Sequence, residues 1–266
     1  FPNSVREAVY VDQTLISKNS RSNPATYLKI FDEIRILFAQ TAQARALGLK
    51  PSSFSFNSKK FCCKACLGLG YTTYQIGFLR AERVTCSECK GARFRNEVLE
   101  ARFKGLNISE VLDLTFNEAF KFFSDIKKIS RVIQHVIDIG LGYLTLGQPL
   151  SSLSGGENQR LKLVKYFVGS HKSKMLFILD EPTLGLHISD VGRLVSKLRG
   201  LVNKGHSVII VEHDETIINS ADYIVELGPG SGDEGGEVIF NGVSPSRASS
   251  ITLHSDTTKI PFQEAP

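Results

Sequence analysis

The eight residues MLFILDEP, at positions 175–182, decide the fold of this 266-residue chain. Five successive apolar residues are typical of a strand that is buried on both faces of a parallel sheet. Asp180 and Glu181 follow this run, and open α/β sheets bind their ligands at the carboxyl ends of their strands. One carboxylate there can hold Mg²⁺ while the other orients water. The simpler alternative is a solvated acidic turn.

A second apolar run, SVIIV at 207–211, follows after a helical stretch at 188–203. This order predicts an α/β fold in which two parallel strands are joined by a crossover helix. The second run ends in Glu212 and His213, so an imidazole is expected at the same edge of the sheet. Alone, a histidine at such a position is structural more often than functional.

The sequence LSGGE at 153–157 lies upstream of these strands and precedes a helical stretch. It offers a hydroxyl on Ser154, bare backbone amides at Gly155 and Gly156, and a helix N-terminus, which together bind phosphate. A glycine pair alone usually marks only a turn. Combined with the acidic strand end, these features are the set found in ABC-type ATPases: a signature loop, a Walker B strand and a switch histidine.

Four of the five cysteines form two C-x-x-C pairs that are separated by nineteen residues. This spacing predicts a structural zinc site held by four thiolates, and glycines follow each pair where tight turns require them. The alternative is ordinary buried cysteines in a reducing compartment. Cys62 is expected to be a free thiol, and the predicted ligands are Cys63, Cys66, Cys86 and Cys89.

Basic charge is concentrated around the cysteines, because residues 57–104 carry ten Lys/Arg against four Asp/Glu. Four thiolates around one Zn²⁺ remove about two of these charges, and a net charge of about +4 still favours a phosphate backbone. We therefore expect this segment to contact DNA, although any one of its basic residues could be a solvated surface charge. The candidates are Lys59, Lys60, Arg80, Arg83, Arg93 and Arg95.

Apolar spacing predicts a helix over about 24–42 and two short helices within 116–139. Two short strands are expected after residue 222, with Asn241-Gly242 as a turn. No internal repeat is evident in the sequence.

In these motifs and their order, the chain resembles the UvrA family, the DNA-damage recognition ATPases of bacterial nucleotide-excision repair. The resemblance runs from about residue 8 to 243. Besides the cysteine pairs it rests on Val11–Gln13, Arg21–Tyr27, Phe31–Arg35, Gly140–Tyr143, Leu146–Pro149, Leu179–His187 and Glu226–Pro229. Ser17–Ser20 depart from the usual Gly-Arg-Thr-Pro, and Leu184 replaces a threonine.

The resemblance implies a partial ABC-type ATPase domain with an inserted zinc module and a helical signature subdomain. It also implies roles for single residues. Gln13 is expected to be the Q-loop residue near Mg²⁺ and the attacking water, and Ser154, Gly155 and Gly156 are expected to contact ATP. Asp180 would be the Walker B aspartate, Glu181 the catalytic glutamate and His213 the switch. The expected segments are 1–20 (ATPase with Q-loop), 21–59 (helical connection), 60–104 (zinc module), 105–170 (signature subdomain), 171–243 (ATPase core) and 244–266 (flexible tail).

No Gly-Lys dipeptide occurs in the sequence, so it contains no G-x-x-x-x-G-K-[ST] phosphate loop. Because the chain starts with Phe1 and its only methionine is Met175, we expect it to be a C-terminal fragment of a longer protein. The signature loop of one ABC half completes the ATP site of another, and the fragment alone is therefore expected to be inactive.

The expected function is that of a cytoplasmic, ATP-dependent DNA-damage recognition subunit that uses ATP, Mg²⁺ and Zn²⁺. Its expected partners are damaged duplex DNA, a second copy bound through the ABC domains and a helicase-type repair subunit, with no membrane. One alternative is the ATPase of a membrane transporter, which would not need a basic zinc module. Another is a zinc-dependent DNA-binding module with a degenerate ATPase, against which Glu181 and His213 argue.

Overall fold

The computed structural model describes residues 5–17, 19–74, 82–169, 173–228 and 236–244. The chain divides into two compact units, Phe1–Val211 and Glu212–Pro266. Arg80 and most of the predicted tail, residues 245–266, lie outside the described residues. Across the described ranges, no helix combines the length and the apolar character that a membrane crossing requires.

The first unit is built on a parallel sheet of three strands, with β4 in the centre between β1 and β5. The predicted apolar run Met175–Leu179 lies within β4, where four of its five residues are buried. Helix α9 (Ile188–Asn203) connects β4 to β5 and provides the predicted crossover. The strands are β1 (Val5–Val11), β2 (Tyr71–Tyr74), β3 (Glu82–Thr85), β4 (Lys174–Asp180), β5 (Ser207–Val211), β6 (Tyr223–Leu227) and β7 (Val238–Val243).

The register of the sheet brings its functional ends together. Val11 at the end of β1 pairs with Leu179, and Asp180 at the end of β4 pairs with Val211. The residues that follow β1, β4 and β5 therefore leave the sheet at one edge, as expected for parallel strands.

Helices pack around this sheet and form most of the apolar core. The helix predicted over 24–42 is interrupted, because Lys29 adopts a left-handed conformation with φ 61° and separates α1 (Pro24–Tyr27) from α2 (Ile30–Ala39). Helix α2 ends at Ala39, before α3 begins at Ala42. The helices are α1 (Pro24–Tyr27), α2 (Ile30–Ala39), α3 (Ala42–Ala46), α4 (Asn96–Leu99), α5 (Ile108–Asp113), α6 (Phe116–Phe122), α7 (Lys127–Asp138), α8 (Gly155–Val168), α9 (Ile188–Asn203) and α10 (Glu215–Ser220).

Between α3 and α4 lies a small module in which β2 and β3 pair antiparallel, Tyr71 opposite Thr85. The cysteines form an apolar cluster of their own within it. Phe56 and Phe94 flank the module and belong to the main core. The module is therefore packed against the helical part of the same unit.

The second unit contains α10 and an antiparallel hairpin of β6 and β7. The predicted Asn241-Gly242 turn is wrong, because both residues lie inside β7 and pair with Val225 and Ile224. Pairing with a neighbouring strand gives these backbone groups their hydrogen bonds, and this outweighs the local preference of Asn-Gly for a turn.

Candidate functional site

The carboxyl edge of the parallel sheet carries most of the predicted nucleotide residues. Asp12 and Gln13 follow β1 directly, and Asp180 is the last residue of β4. Glu181 adopts φ 45°, and its backbone N–H donates to the carbonyl of Val211 at 2.9 Å. A left-handed conformation is uncommon for a glutamate and turns the chain sharply at the end of the strand.

The predicted signature loop forms the start of α8. Ser154 caps the helix, since its hydroxyl accepts from the Glu157 N–H at 3.3 Å and its own N–H donates to Glu157 Oε2 at 2.6 Å. The Tyr143 hydroxyl donates to the other carboxylate oxygen of Glu157. This reciprocal cap fixes the backbone at the exposed N-terminus of the helix, where N–H groups can receive an anion.

Buried side chains of α8 tie the ends of β1 and β4 together. The Gln159 side chain donates from Nε2 to the carbonyls of Val11 and Asp180, both at 2.8 Å, and is fully buried. Asn158 Oδ1 accepts from the Ile16 N–H at 3.3 Å. The helix that begins at the predicted signature loop therefore bridges the ends of two strands that are already paired in the sheet.

An ion pair anchors the same helix to the Q-loop segment. The Lys162 ammonium contacts the Asp12 carboxylate and donates to the Asp12 carbonyl at 3.1 Å. Its hydrogen bond to the carboxylate, together with one from Thr14, lowers the pKa of Asp12 below its ordinary value.

The two signature glycines lie against the predicted neighbours of the nucleotide. A Cβ atom on Gly155 would lie 2.9 Å from Gln13 Oε1, and one on Gly156 would lie 2.5 Å from the carbonyl oxygen of Leu184. The buried Arg160 guanidinium donates to that carbonyl at 2.7 Å. Gly155 and Gly156 of the predicted signature loop thus lie between Gln13 and the loop that follows β4.

Gln159, Arg160 and Lys162 received no role from the sequence, although they hold this arrangement together. The available signal was weak, because polar residues after a signature loop look like an ordinary solvated helix face.

His213 belongs to the second unit, where its side chain is 79% exposed and its Nδ1 lies 4.0 Å from the Glu212 carboxylate. Its switch role stays a prediction.

The four predicted zinc ligands come together. The sulfur atoms of Cys63, Cys66, Cys86 and Cys89 all lie within 4.8 Å of one another. Cys63 Sγ is 3.9 Å from Cys86 Sγ, and Cys66 Sγ is 3.6 Å from Cys89 Sγ. A tetrahedral zinc with Zn–S bonds of about 2.3 Å separates its sulfurs by about 3.8 Å. The cluster therefore has the composition and the spacing of a Cys₄ zinc site, and the buried Cys62 lies outside it.

Both cysteine pairs end in the same backbone conformation, a repeat that the sequence does not reveal. The first, second and fourth residues after each pair have positive φ. Glycine occupies the fourth position after the first pair, whereas Arg93 occupies it after the second with φ 67°. The matching residues are Leu67, Gly68 and Gly70 in the first knuckle and Lys90, Gly91 and Arg93 in the second.

The predicted DNA-contacting residues differ in their surroundings. Lys59 and Lys60 are exposed, and Arg95 is partly exposed. Arg83 is exposed but donates to Ser151 Oγ at 3.0 Å, and the partly buried Arg93 donates to the carbonyl of Gly147 at 2.8 Å. Two of the five described candidates thus make bonds within the chain.

Comparisons with known proteins cover nearly the whole chain. No family model matches. The UvrABC system protein A of Oceanobacillus iheyensis is 48% identical over 238 residues, which are 90% of this chain and 25% of that protein. The UvrABC system protein A of Aquifex aeolicus is 46% identical over 239 residues, 90% of this chain and 26% of that protein.

A solved structure agrees with these relatives. The crystal structure of UvrA2 from Deinococcus radiodurans superimposes with a TM-score of 0.83 at 42% identity, covering 90% of this chain and 29% of that chain. With the cysteine cluster, this match confirms the predicted fold, a partial ABC-type ATPase domain with an inserted four-cysteine module and a helical subdomain. The chain spans about a quarter of the length of the curated relatives it matches. It belongs to the UvrABC system protein A family.

Proposed function

We propose that this chain is part of an ATP-dependent subunit that recognises damaged DNA in nucleotide-excision repair. The observation that carries the proposal is the double hydrogen bond of Gln159, which links the strand end before Gln13 to the strand end that bears Asp180 and Glu181. The same helix starts at the signature loop. Residues suited to bind phosphate, metal and water are therefore held on one scaffold.

In this proposal Asp180 would hold Mg²⁺, which would supply positive charge against the ATP phosphates. Glu181 accepts a proton from the attacking water or polarises it, and Gln13 orients the same region. Ser154, Gly155 and Gly156 offer a hydroxyl and backbone N–H groups to the terminal phosphate of a nucleotide bound by another ATPase half. His213 keeps its predicted switch role, which concerns the nucleotide of this half and not the one that the signature loop contacts.

A longer protein is required for turnover, because this sequence contains no phosphate loop and spans a quarter of its relatives' length. We infer that the chain supplies half of each of two ATP sites, and that a second copy pairs with it through the ABC domains. Changes in how the halves close then alter the grip on DNA. A helicase-type subunit of the UvrABC system receives the DNA, and the process takes place in the cytoplasm.

Zn²⁺ held by Cys63, Cys66, Cys86 and Cys89 supplies structural cross-links to a module that has little apolar core of its own. We propose that the segment 60–104 presents basic side chains to the DNA backbone. Lys59 and Lys60 carry this proposal best among the described residues, because both are exposed and adjacent. Arg80 and Arg95 complete the proposed set.

DNA affinity of the full-length protein tests this function. Lys59→Ala/Lys60→Ala should weaken binding to a lesion-containing duplex and reduce the slope of log affinity against log salt by about 2. The matched control is Lys127→Ala/Lys128→Ala, an exposed lysine pair on α7, which should keep the original slope. Affinity should also differ between the ATP-bound and ADP-bound protein. Equal affinities in both nucleotide states, or an unchanged slope in the Lys59/Lys60 variant, would contradict the proposal.

A further inference from the structure

The signature loop is reached through a short stretch that we term the approach segment, residues 146–152. Leu153 follows it directly and Ser154 begins the helix cap. The Gly147 N–H donates to the carbonyl of Leu112 at 2.7 Å, and the Leu150 N–H donates to that of Ser22 at 2.9 Å. Because the segment is so short, any displacement of it is transmitted to the start of α8.

Two arginines of the four-cysteine module bond to this segment near its two ends. Arg93 Nη2 donates to the carbonyl of Gly147 at 2.8 Å, and Arg83 Nη2 donates to Ser151 Oγ at 3.0 Å. Arg83 lies three residues before Cys86, and Arg93 lies four residues after Cys89. The two arginines therefore lie on either side of the second cysteine pair in the sequence.

The conformation of the second knuckle sets the position of Arg93. Its backbone has φ 67°, and its carbonyl accepts from the Cys63 N–H at 2.8 Å. The guanidinium carbon lies 6.0 Å from the centre of the Phe56 ring. Cys63 and Cys89 are both members of the sulfur cluster, so the backbone that carries this arginine is fixed by the same residues that would hold the metal.

Gly147 is fitted to receive the arginine. A Cβ atom there would lie 2.9 Å from Leu112 Cβ and 3.2 Å from Arg93 Nη1. A side chain at this position would therefore clash with Leu112 first and would also crowd the guanidinium. The contact is therefore a close, shape-dependent one, unlike the long-range attraction of a surface charge.

We propose that Arg83 and Arg93 are positioning residues that couple the state of the zinc module to the signature loop. Loss of metal, or a ligand that displaces the second knuckle, withdraws both guanidinium groups from the approach segment and loosens Ser154 to Gly156. The consequence for ATP hydrolysis rests on the proposed function. The mechanical coupling does not, because it involves only contacts within this chain.

Hydrogen exchange of the 266-residue chain, followed by mass spectrometry without nucleotide or DNA, tests the coupling. Peptides that cover residues 146–157 are compared before and after zinc is removed by a chelator. In the unmodified chain, chelation should speed exchange in these peptides about tenfold. In Arg83→Ala/Arg93→Ala, exchange should already be fast with zinc bound, and chelation should add little.

The matched control is Arg102→Ala/Lys104→Ala, which also removes two positive charges from the basic segment but breaks bonds to Gly105, Glu110, Phe122 and Asp125 instead. It should respond to chelation as the unmodified chain does. Zinc content is measured for every variant. If the double alanine variant does not retain zinc, Arg93→Lys, which keeps the charge but not the planar fork, should still speed exchange several-fold.

Two results would overturn the coupling. One is slow exchange at 146–157 in zinc-bound Arg83→Ala/Arg93→Ala, and the other is a full response of that variant to chelation. Weakened DNA binding with unchanged exchange would assign the two arginines to the DNA surface instead. None of these outcomes depends on ATP turnover, so the coupling and the proposed function can fail separately.

Discussion

The side chains that organise the candidate site are polar residues buried in α8. Asn158 and Gln159 have no exposed surface, and Arg160 is 1% exposed. Burial of such polar side chains is offset by the hydrogen bonds that they make. Here the bonded groups are backbone carbonyls at strand ends and loops. The side chains therefore supply hydrogen bonds at positions where regular secondary structure has ended.

Gln159→Leu should destabilise the chain by about 2–4 kcal/mol, because the carbonyls of Val11 and Asp180 lose their donor while the volume hardly changes. The measurement is the free energy of unfolding in denaturant. Gln43→Leu, at an exposed position of α3, is the matched control and should change stability by less than about 0.5 kcal/mol. Equal effects of the two substitutions would show that the hydrogen bonds of Gln159 contribute nothing to the free energy of unfolding.

The Asp12–Lys162 pair predicts a pH dependence of stability. The hydrogen bond from Lys162 holds the pKa of Asp12 in the folded chain below its ordinary value, so the carboxylate stabilises the fold above about pH 4. That contribution is lost as the pH falls through the folded pKa. Asp12→Asn should therefore lower Tm at pH 7, and the difference from the unmodified chain should shrink toward pH 3. A difference that stays constant over this range would exclude a role for the ionised carboxylate.

At the scale of elements, the helices and strands that depend only on the pattern of neighbouring residues could be predicted from the sequence. The helix predicted at 188–203 and the strand predicted at 207–211 match α9 and β5, because a helical period and a continuous apolar run are properties of neighbouring residues. The break after α1 was not predictable. A lysine at φ 61° has no local preference for that conformation, so packing between helices imposes it.

The candidate site was predictable only in its pieces. Spacing identified the four cysteines, and the structure brings them together. By contrast, the approach of Gln13 to Gly155 and the bond of Gln159 to Val11 join residues more than a hundred positions apart. The knuckle repeat was hidden because Arg93 stands where the first knuckle has Gly70, so the two share a backbone shape without sharing residue types.

The four-cysteine cluster should hold about one zinc ion per chain. Cys86→Ala/Cys89→Ala should abolish zinc binding, because two sulfurs cannot complete a tetrahedral site. Cys62→Ala is the matched control and should keep its zinc, since this buried thiol lies outside the cluster. Metal analysis of protein purified without chelator decides the matter, and full zinc retention in the double variant would refute the assignment.

At the scale of the whole molecule, the chain combines the carboxyl edge of a parallel sheet, the predicted signature helix and a four-cysteine module within one compact unit, Phe1–Val211. It spans about a quarter of its relatives' length, so its chemistry has to be measured in the longer protein. In the proposed function, the contribution of this chain to that chemistry depends above all on Glu181. This residue leaves β4 in a left-handed conformation next to the metal-holding candidate Asp180.

Steady-state ATP turnover by the full-length protein is the most direct measurement. The catalytic glutamate of the other ATPase half is mutated in every sample, so that only the site containing Glu181 reports. Glu181→Gln should retain nucleotide binding but lower turnover about 10²-fold to 10³-fold, because an amide cannot accept a proton from the attacking water. The isolated 266-residue chain should show no turnover. Undiminished turnover in the Glu181→Gln protein, or robust turnover by the isolated chain, would contradict the proposed site.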